Sequence, residues 1–482
     1  MDYDVIVVGA GVAGENAADR AGRTGLRVAL VENTLVGGEC SYWACMPTKA
    51  LLRPGALLAD ATDVPGLVGT TLDPAAAFAR RDQVTSHWHD DGQVAWAEGA
   101  GLTVVRGAAR LTGERTLSLT TADGVENGAG DGRITEEITA RCAVILATGS
   151  EPAVPALPGL SDAGFWTSRD ASSTRTVPPR LVVLGGGVVG VETAQLFASL
   201  GSRVTLLVRG TRLLSAAEPF AGELVADALT AAGVQVRFGA RAQRVWRDAS
   251  GVHVSVGDET FDADQLLVAT GRRPATSGLG LETVGLTPGA ALEVDGAGQV
   301  LGVGGDWLYA AGDVTGRTST THQGKYDARV TGDVVAARFG TDLDARTAET
   351  SAQAWSRYRA SADPGAVPQV VFTRPEVAWV GPTLDQARRA LGDVRAVDVD
   401  LAALGGAAVR SPVYRGQARF VVDPERRVLV GATFVGPGVA EMLHAATVAV
   451  VGQVPLDRLW HAVPSYPTLS EVWLRFLEGY GL

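Results

Sequence analysis

The chain has 482 residues, 46% of them hydrophobic and 20% charged, which is too long for one hydrophobic core and suggests roughly two to four domains. A formal net charge of -11 argues against nucleic acid or an anionic membrane as partner. Three cysteines do not make a disulfide scaffold and suit a reducing compartment, and no apolar run reaches the ~18 residues of a spanning helix.

The start, Met1-Asp2-Tyr3-Asp4, has no charged region followed by an apolar one, so no signal peptide is expected and the chain reads as cytoplasmic. Asp4 to Val8 is an apolar, β-branched run. Gly9-Ala10-Gly11-Val12-Ala13-Gly14 follows, then a helical stretch to about Thr24 and a strand from Arg27 to Val31 that ends at Glu32. Strand, G-x-G-x-x-G turn, helix, strand and a terminal acid form a dinucleotide fingerprint. Its glycines let the backbone approach a pyrophosphate at the helix N-terminus, and Glu32 can accept hydrogen bonds from a ribose.

Just downstream, Cys40 and Cys45 form a C-x4-C pair within Gly37-Gly38-Glu39-Cys40-Ser41-Tyr42-Trp43-Ala44-Cys45-Met46-Pro47-Thr48-Lys49. Next to a nucleotide turn, it reads as a redox dithiol, as two inert core cysteines, or as half a metal site. In an ideal helix, Cα atoms five residues apart are ~8.7 Å apart, beyond the ~7 Å limit for a bridge. A disulfide here therefore needs a distorted first turn.

Ala56 to Trp96 reads as helical with a break at Pro65, and Leu102 to Ile145 as β-rich with a Gly-rich turn near Gly128 to Gly132. The fingerprint then recurs. A strand from Leu181 to Leu184 leads into Gly185-Gly186-Gly187-Val188-Val189-Gly190, a helix to about Leu200 and a strand from Val204 to Val208. Two copies imply two dinucleotides, or a duplicated fold with one site lost. At the end of the second copy no acid stands ready for a ribose 2'-hydroxyl. Arg209 and Arg212 follow instead, suited to a 2'-phosphate or merely solvated.

Further strands are expected at Gln265 to Thr270 and Leu308 to Asp313. After about Glu349, strands at Gln369 to Phe372, Ala418 to Val422 and Val428 to Val435 alternate with helices, as in a compact α+β domain. The six histidines lack metal-ligand spacing with the cysteines, so no metal is expected. Basic residues are nearly all arginine. The lysines are Lys49 and Lys325, which suggests a need for an ammonium at those two places.

Taken jointly, these motifs resemble the flavoprotein disulfide reductases that bind two dinucleotides, a family including dihydrolipoamide dehydrogenase, glutathione reductase, mycothione reductase and mercuric reductase. The resemblance covers essentially the whole chain. It adds Ala147-Thr148-Gly149-Ser150, Ala269-Thr270-Gly271-Arg272-Arg273-Pro274, Ala310-Ala311-Gly312-Asp313 and Phe372-Thr373-Arg374-Pro375-Glu376 to the fingerprints and the cysteines. It implies an α/β fold with two Rossmann-like dinucleotide-binding domains and a C-terminal α+β dimerisation domain. The implied segments are 1-155 and 276-348 for FAD, 156-275 for NAD(P)H and 349-482 for the interface of a homodimer whose active sites are shared.

The resemblance also implies site residues. Gly9, Gly11, Gly14, Glu32, Thr148, Gly149 and Asp313 would serve FAD. Gly185, Gly187, Gly190, Arg209 and Gly271 would serve the nicotinamide cofactor, expected to be NADPH. Cys45 would face the flavin and Cys40 the substrate, with Lys49 and Glu192 as an ion pair beside the flavin, or alternatively a surface salt bridge. The resemblance implies an NADPH-dependent reductase passing electrons through FAD and Cys40-Cys45 to a disulfide or other thiol-reactive acceptor. The alternatives are a quinone or metal-ion reductase working directly from flavin and a low-turnover redox sensor or complex subunit.

The chain departs from the family in two places. The usual ending H-x-H-P-T-x-x-E reads Pro464-Ser465-Tyr466-Pro467-Thr468-Leu469-Ser470-Glu471, which puts Tyr466 where the acid/base histidine stands and leaves Glu471 without its imidazole. A phenol, with pKa about 10, is a weak base at neutral pH, so ordinary dithiol exchange is expected to be slow. Mercuric reductase resembles the chain in that tyrosine, yet it carries a C-terminal cysteine pair where this sequence reads Glu478-Gly479-Tyr480-Gly481-Leu482, so efficient Hg(II) reduction is not expected. Tyr42 and Trp43 are bulky where the family has small or aliphatic residues. They either narrow the cleft, stack on a flat acceptor such as a quinone, or pack the helix.

Overall fold

A computed structural model describes residues 2–69, 71–121, 134–340, 353–362 and 365–482. The Gly-rich turn expected near Gly128 to Gly132 lies outside them. The chain separates into two compact units, one of Met1–Met46, Asp82–Ala153 and Arg272–Ser361, the other of Pro47–Arg81, Val154–Gly271 and Ala362–Leu482.

The first unit is built on a seven-stranded sheet. Strands Thr103–Arg106, Val28–Glu32, Asp2–Val8 and Ile134–Leu146 lie side by side, and Leu308–Ala310 pairs with the last of these; all these pairings are parallel. The hairpin of Ala108–Gly113 and Thr116–Thr120 adds antiparallel strands to the long Ile134–Leu146 strand. Successive side chains of a strand point to opposite faces. Val5, Val7, Val28 and Leu30 accordingly enter one buried cluster, and Ile6, Val8, Ala29 and Val31 enter another. A sheet buried on both faces explains why its strands read as continuous apolar runs. On one face the helices Val12–Gly22 and Thr321–Phe339 pack together, with Gly332 so close to the Ala17 carbonyl that a Cβ would lie 2.5 Å from it.

The second unit repeats the plan. Gln235–Phe238, Arg203–Val208, Arg180–Leu184 and Gln265–Val268 form a parallel sheet. Leu181, Val183 and Leu206 face one cluster, and Val182, Leu184 and Leu207 the other. An antiparallel meander of Arg244–Asp248, Gly251–Val256 and Glu259–Ala263 forms a separate sheet whose Val245, Val252 and Val254 pack into the same cluster as Val182 and Leu184. The C-terminal part is a five-stranded antiparallel sheet, in the order Gln369–Val371, Glu376–Val380, Val428–Gly436, Gln417–Asp423, Arg395–Asp400. Its buried face meets the helices Leu443–Val451 and Val472–Tyr480, where Phe420 stacks on Phe476 at 4.2 Å.

The helical stretch expected from Ala56 starts earlier, at Cys45, and the helix Cys45–Asp63 accommodates Pro54. Burial of Leu51 and Leu52 outweighs the lost backbone hydrogen bond.

Candidate active site

The two glycine turns have the same internal logic. Gly9 and Gly185 take left-handed φ values of 97° and 119°, open to glycine without strain. A Cβ on Gly14 would collide with the Gly9 carbonyl, and one on Gly190 with the Gly185 carbonyl, so these two let helix and strand close up. The middle glycines differ. A Cβ on Gly11 would meet only the Gly38 Cα, at 3.9 Å, and one on Gly187 would meet nothing within 4 Å. The fold does not itself require glycine there, which fits a group that approaches the backbone from outside. Glu32 is buried at the end of its strand, accepting from the Ala10 amide at 2.7 Å and from the Thr34 amide and hydroxyl at 2.8 and 2.9 Å.

The cysteine segment is fastened to the first turn. Gly37 donates its N–H to the Ala10 carbonyl at 2.8 Å, and Gly37 and Gly11 form an isolated parallel bridge. Cys40 and Cys45 do not share a helix. Cys40 lies in the short helix Gly38–Tyr42, which ends at Trp43 with φ of -135°, and Cys45 begins the next helix. The expected distortion is thus a break between two helices rather than a strained first turn. Both cysteines are half-buried thiols. The Thr321 hydroxyl, at the start of its own helix, lies 3.1 Å from the Cys40 sulfur and 3.2 Å from the Cys45 sulfur. The first turn of a 19-residue helix favours negative charge at Cys45. The Cys40 thiol is held above its ordinary range, first by its hydrogen bond with Cys45 and then by burial.

A polar chain runs from this segment to Asp313. Arg272 lies 3.7 Å from Glu39 and donates to the Ser150 hydroxyl at 2.7 Å, and Ser150 donates to Asp313 at 2.5 Å. Burial raises the Asp313 carboxyl above the usual range. Thr148 donates to the Ala275 carbonyl at 2.8 Å, and the Gly149 carbonyl accepts the Ala275 amide at 3.0 Å. The hydroxyl oxygens of Thr318 and Thr320 are buried without a protein partner among the described residues. Orphaned polar atoms between Asp313 and Thr321 fit a polar group held against this turn.

In the second unit, Lys49 donates to Glu192 at 2.7 Å. Glu192 is buried, and its other oxygen accepts the Phe372 amide at 2.9 Å, while the Lys49 ammonium lies 5.1 Å from the Phe372 ring centre. Arg374 pins the same turn, donating its amide to Gln195 at 2.7 Å and its guanidinium to Asp60 at 2.8 Å and to Asp63. The pair is thus built into a packed junction, unlike a freely solvated salt bridge. Gly271 has a φ of 132°. Arg209 and Arg212 are exposed past the strand Arg203–Val208, and Arg212 turns back to the Ser215 carbonyl at 2.7 Å.

Tyr466 is 77% exposed, whereas Glu471 is buried and its Oε2 has no partner among the described residues. Both flank Gly405, where a Cβ would lie 2.9 Å from the Tyr466 ring and 3.2 Å from that oxygen. Tyr42 is buried, 5.6 Å from the Trp43 ring, and burial pushes its phenol up to about 12. Tyr42 therefore packs, and Trp43 stays half-buried. Sequence reasoning missed Thr321, the linking role of Arg272 and Gly405. Arg272 lay inside a recognised motif, whereas Thr321 and Gly405 had no local signal.

A dithiol fastened to one of two glycine turns defines a protein that moves electrons between dinucleotides and sulfur. Residues 3–328 match the family described as pyridine nucleotide-disulphide oxidoreductase, and residues 367–475 match its dimerisation domain. The chain is 31% identical over 478 residues to a mercuric reductase of Staphylococcus aureus, covering 98% of this chain and 81% of that one. It is 31% identical over 481 residues to a dihydrolipoyl dehydrogenase of Bacillus subtilis (strain 168), covering 96% of each. Among solved structures, the Cu(II) complex of the HOCl-induced flavoprotein disulfide reductase RclA from Escherichia coli matches with a TM-score of 0.82 at 26% identity over 99% of both chains. LpdA from Mycobacterium tuberculosis matches with a TM-score of 0.81 at 25% identity, covering 99% of this chain and 100% of that one.

The chain belongs to the pyridine nucleotide-disulphide oxidoreductase family. Its fold is α/β, with two Rossmann-like dinucleotide-binding domains and a C-terminal α+β dimerisation domain. It is an FAD-dependent NAD(P)H:disulfide oxidoreductase. No helix among the described residues is long and apolar enough to cross a membrane.

Proposed function

We propose that the protein is an NADPH-dependent reductase whose Cys40-Cys45 dithiol reduces a disulfide or another thiol-reactive acceptor. The observation that carries this reading is the pair of sulfurs spanned by the Thr321 hydroxyl on a segment bonded to the first glycine turn. FAD and NADPH supply two-electron hydride chemistry when bound. Segments 1-155 and 276-348 would hold FAD through Gly9, Gly11, Gly14, Glu32, Thr148, Gly149 and Asp313. Segment 156-275 would hold NADPH through Gly185, Gly187, Gly190 and Gly271, with Arg209 on the 2'-phosphate, and 349-482 would form the interface of a homodimer with shared sites.

The chain's own groups divide the work. Cys45 carries the thiolate that the helix start favours, and Cys40 attacks the acceptor. The Lys49 ammonium, kept paired by Glu192, supplies positive charge where anionic charge develops. Tyr466, oriented beside Glu471, donates a proton or a hydrogen bond to the departing thiolate, and as a weak base it makes exchange with ordinary dithiols slow. A reactive disulfide, whose reduction needs no strong base, suits this site better than a dithiol such as dihydrolipoamide, which must first be deprotonated.

The test is acceptor-dependent NADPH oxidation by FAD-loaded Cys40→Ser and Cys45→Ser. Both variants are expected to lose more than about a hundredfold. Full turnover by Cys45→Ser would move the chemistry to the flavin alone.

A further inference from the structure

Two lysines punctuate this arginine-rich chain, and the proposed mechanism uses only Lys49. Lys325 lies on the helix Thr321–Phe339, four residues after the threonine whose hydroxyl spans both sulfurs. On a helix, side chains at i and i+4 stack on one face and lean toward the N-terminus. The half-buried Lys325 therefore shares the helix face that carries Thr321 and its contacts with both sulfurs. The neighbouring Gly324 seats this helix on the fingerprint helix Val12–Gly22, its would-be Cβ 3.9 Å from that of Ala13.

On the facing helix stands Glu15, a buried carboxylate with Oε1 unpartnered among the described residues. Burial raises the Glu15 carboxyl to about 7, against the pull of the Lys325 ammonium and with a push from Glu32. Against Cys45 and burial, the Thr321 hydroxyl and then the same ammonium pull the Cys40 thiol downward. Arg272, the guanidinium beside Glu39, is engaged by Glu39 and Ser150.

We propose that Lys325, countered by Glu15 across the helix pair, is a positioning residue that makes Cys40 able to ionise in a site where a tyrosine stands for the usual base. The inference rests on the reading of Cys40 as the attacking thiol. A neighbouring cation favours the thiolate, and a shift of one unit in a thiol's titration is a tenfold change in thiolate at fixed pH. Lys325 so takes over part of the task that an imidazole would perform, and Glu15 sets how much of its charge reaches the sulfur.

The experiment follows iodoacetamide labelling of Cys40 against pH, located by mass spectrometry, in FAD-loaded enzyme reduced by a phosphine. Lys325→Met is expected to move the labelling midpoint up by about one unit and slow labelling at pH 7 about tenfold, and Lys325→Arg to restore it. Glu15→Gln, which removes an opposing charge, is expected to move the midpoint down. An unchanged midpoint in Lys325→Met with FAD retained overturns the inference. If Lys325→Met does not fold, an unchanged midpoint in Glu15→Gln does so. Acceptor turnover surviving in Cys40→Ser would overturn the dithiol reading instead and leave the labelling result intact.

Discussion

Glu192 shows how a single side chain can serve two tasks. One oxygen holds Lys49 and the other holds the Phe372 amide, so a neutral, non-bonding replacement leaves both a cation and an N–H unsatisfied. Because the Lys49 side chain is 31% exposed, Glu192→Leu is expected to cost about 2 kcal/mol, below the fully buried range. A denaturation midpoint unmoved in Glu192→Leu would contradict this. At Arg209 the issue is specificity. The wild type is expected to show a higher kcat/KM for NADPH than for NADH, and Arg209→Glu to lose about tenfold with NADPH while NADH is spared. A preference for NADH in the wild type would sink the assignment. Tyr466 was legible as a departure from sequence alone, but its exposure and its seat beside Gly405 were not, because a residue 61 positions away in the chain makes the seat.

At the scale of elements, the glycine turns were readable because their constraints are local. Strand alternation, positive φ and helix closure all fall within a few residues. Gly190→Ala drives a methyl into the Gly185 carbonyl and is expected to lower the melting temperature, whereas Gly187→Ala is expected to leave it nearly unchanged and to weaken NADPH binding, a comparison that calorimetry with and without NADPH can make. The break at Trp43 was not readable. A C-x4-C spacing inside a helical stretch predicts one helix, and tertiary fastening of Gly37 to Ala10 selects two. The strands Glu376–Val380 and Arg395–Asp400 also went unmarked, although they complete the C-terminal sheet. In the meander, His253 sits between Asp262 at 2.6 Å and Asp248 at 3.0 Å and stacks on Trp246. Hydrogen bonds to Asp262 and then Asp248 raise its pKa. A folded value above the unfolded ~6.5 gives stability that is full below the unfolded value and lost as pH rises through the raised one. Asp262→Asn is therefore expected to destabilise more at pH 6 than at pH 9. An equal loss at both would argue against the linkage.

For the whole molecule, the fold was legible because its motifs run in order along essentially the whole chain, while the acceptor was not, because acceptors are read by few side chains and here two of those are unusual. If the active sites are shared between protomers, Cys45→Ser and a Tyr466 deletion-of-function variant should complement when co-expressed, with about a quarter of wild-type activity in the random mixture. No recovery, with a dimer present by sedimentation, would place both groups in one protomer. Whether the dithiol lies in the electron path is decided by anaerobic titration of the FAD-loaded protein with NADPH under visible absorbance. A long-wavelength thiolate-to-flavin charge-transfer band is expected in the wild type and is absent in Cys45→Ser. Flavin bleaching with no such band in the wild type would contradict this expectation.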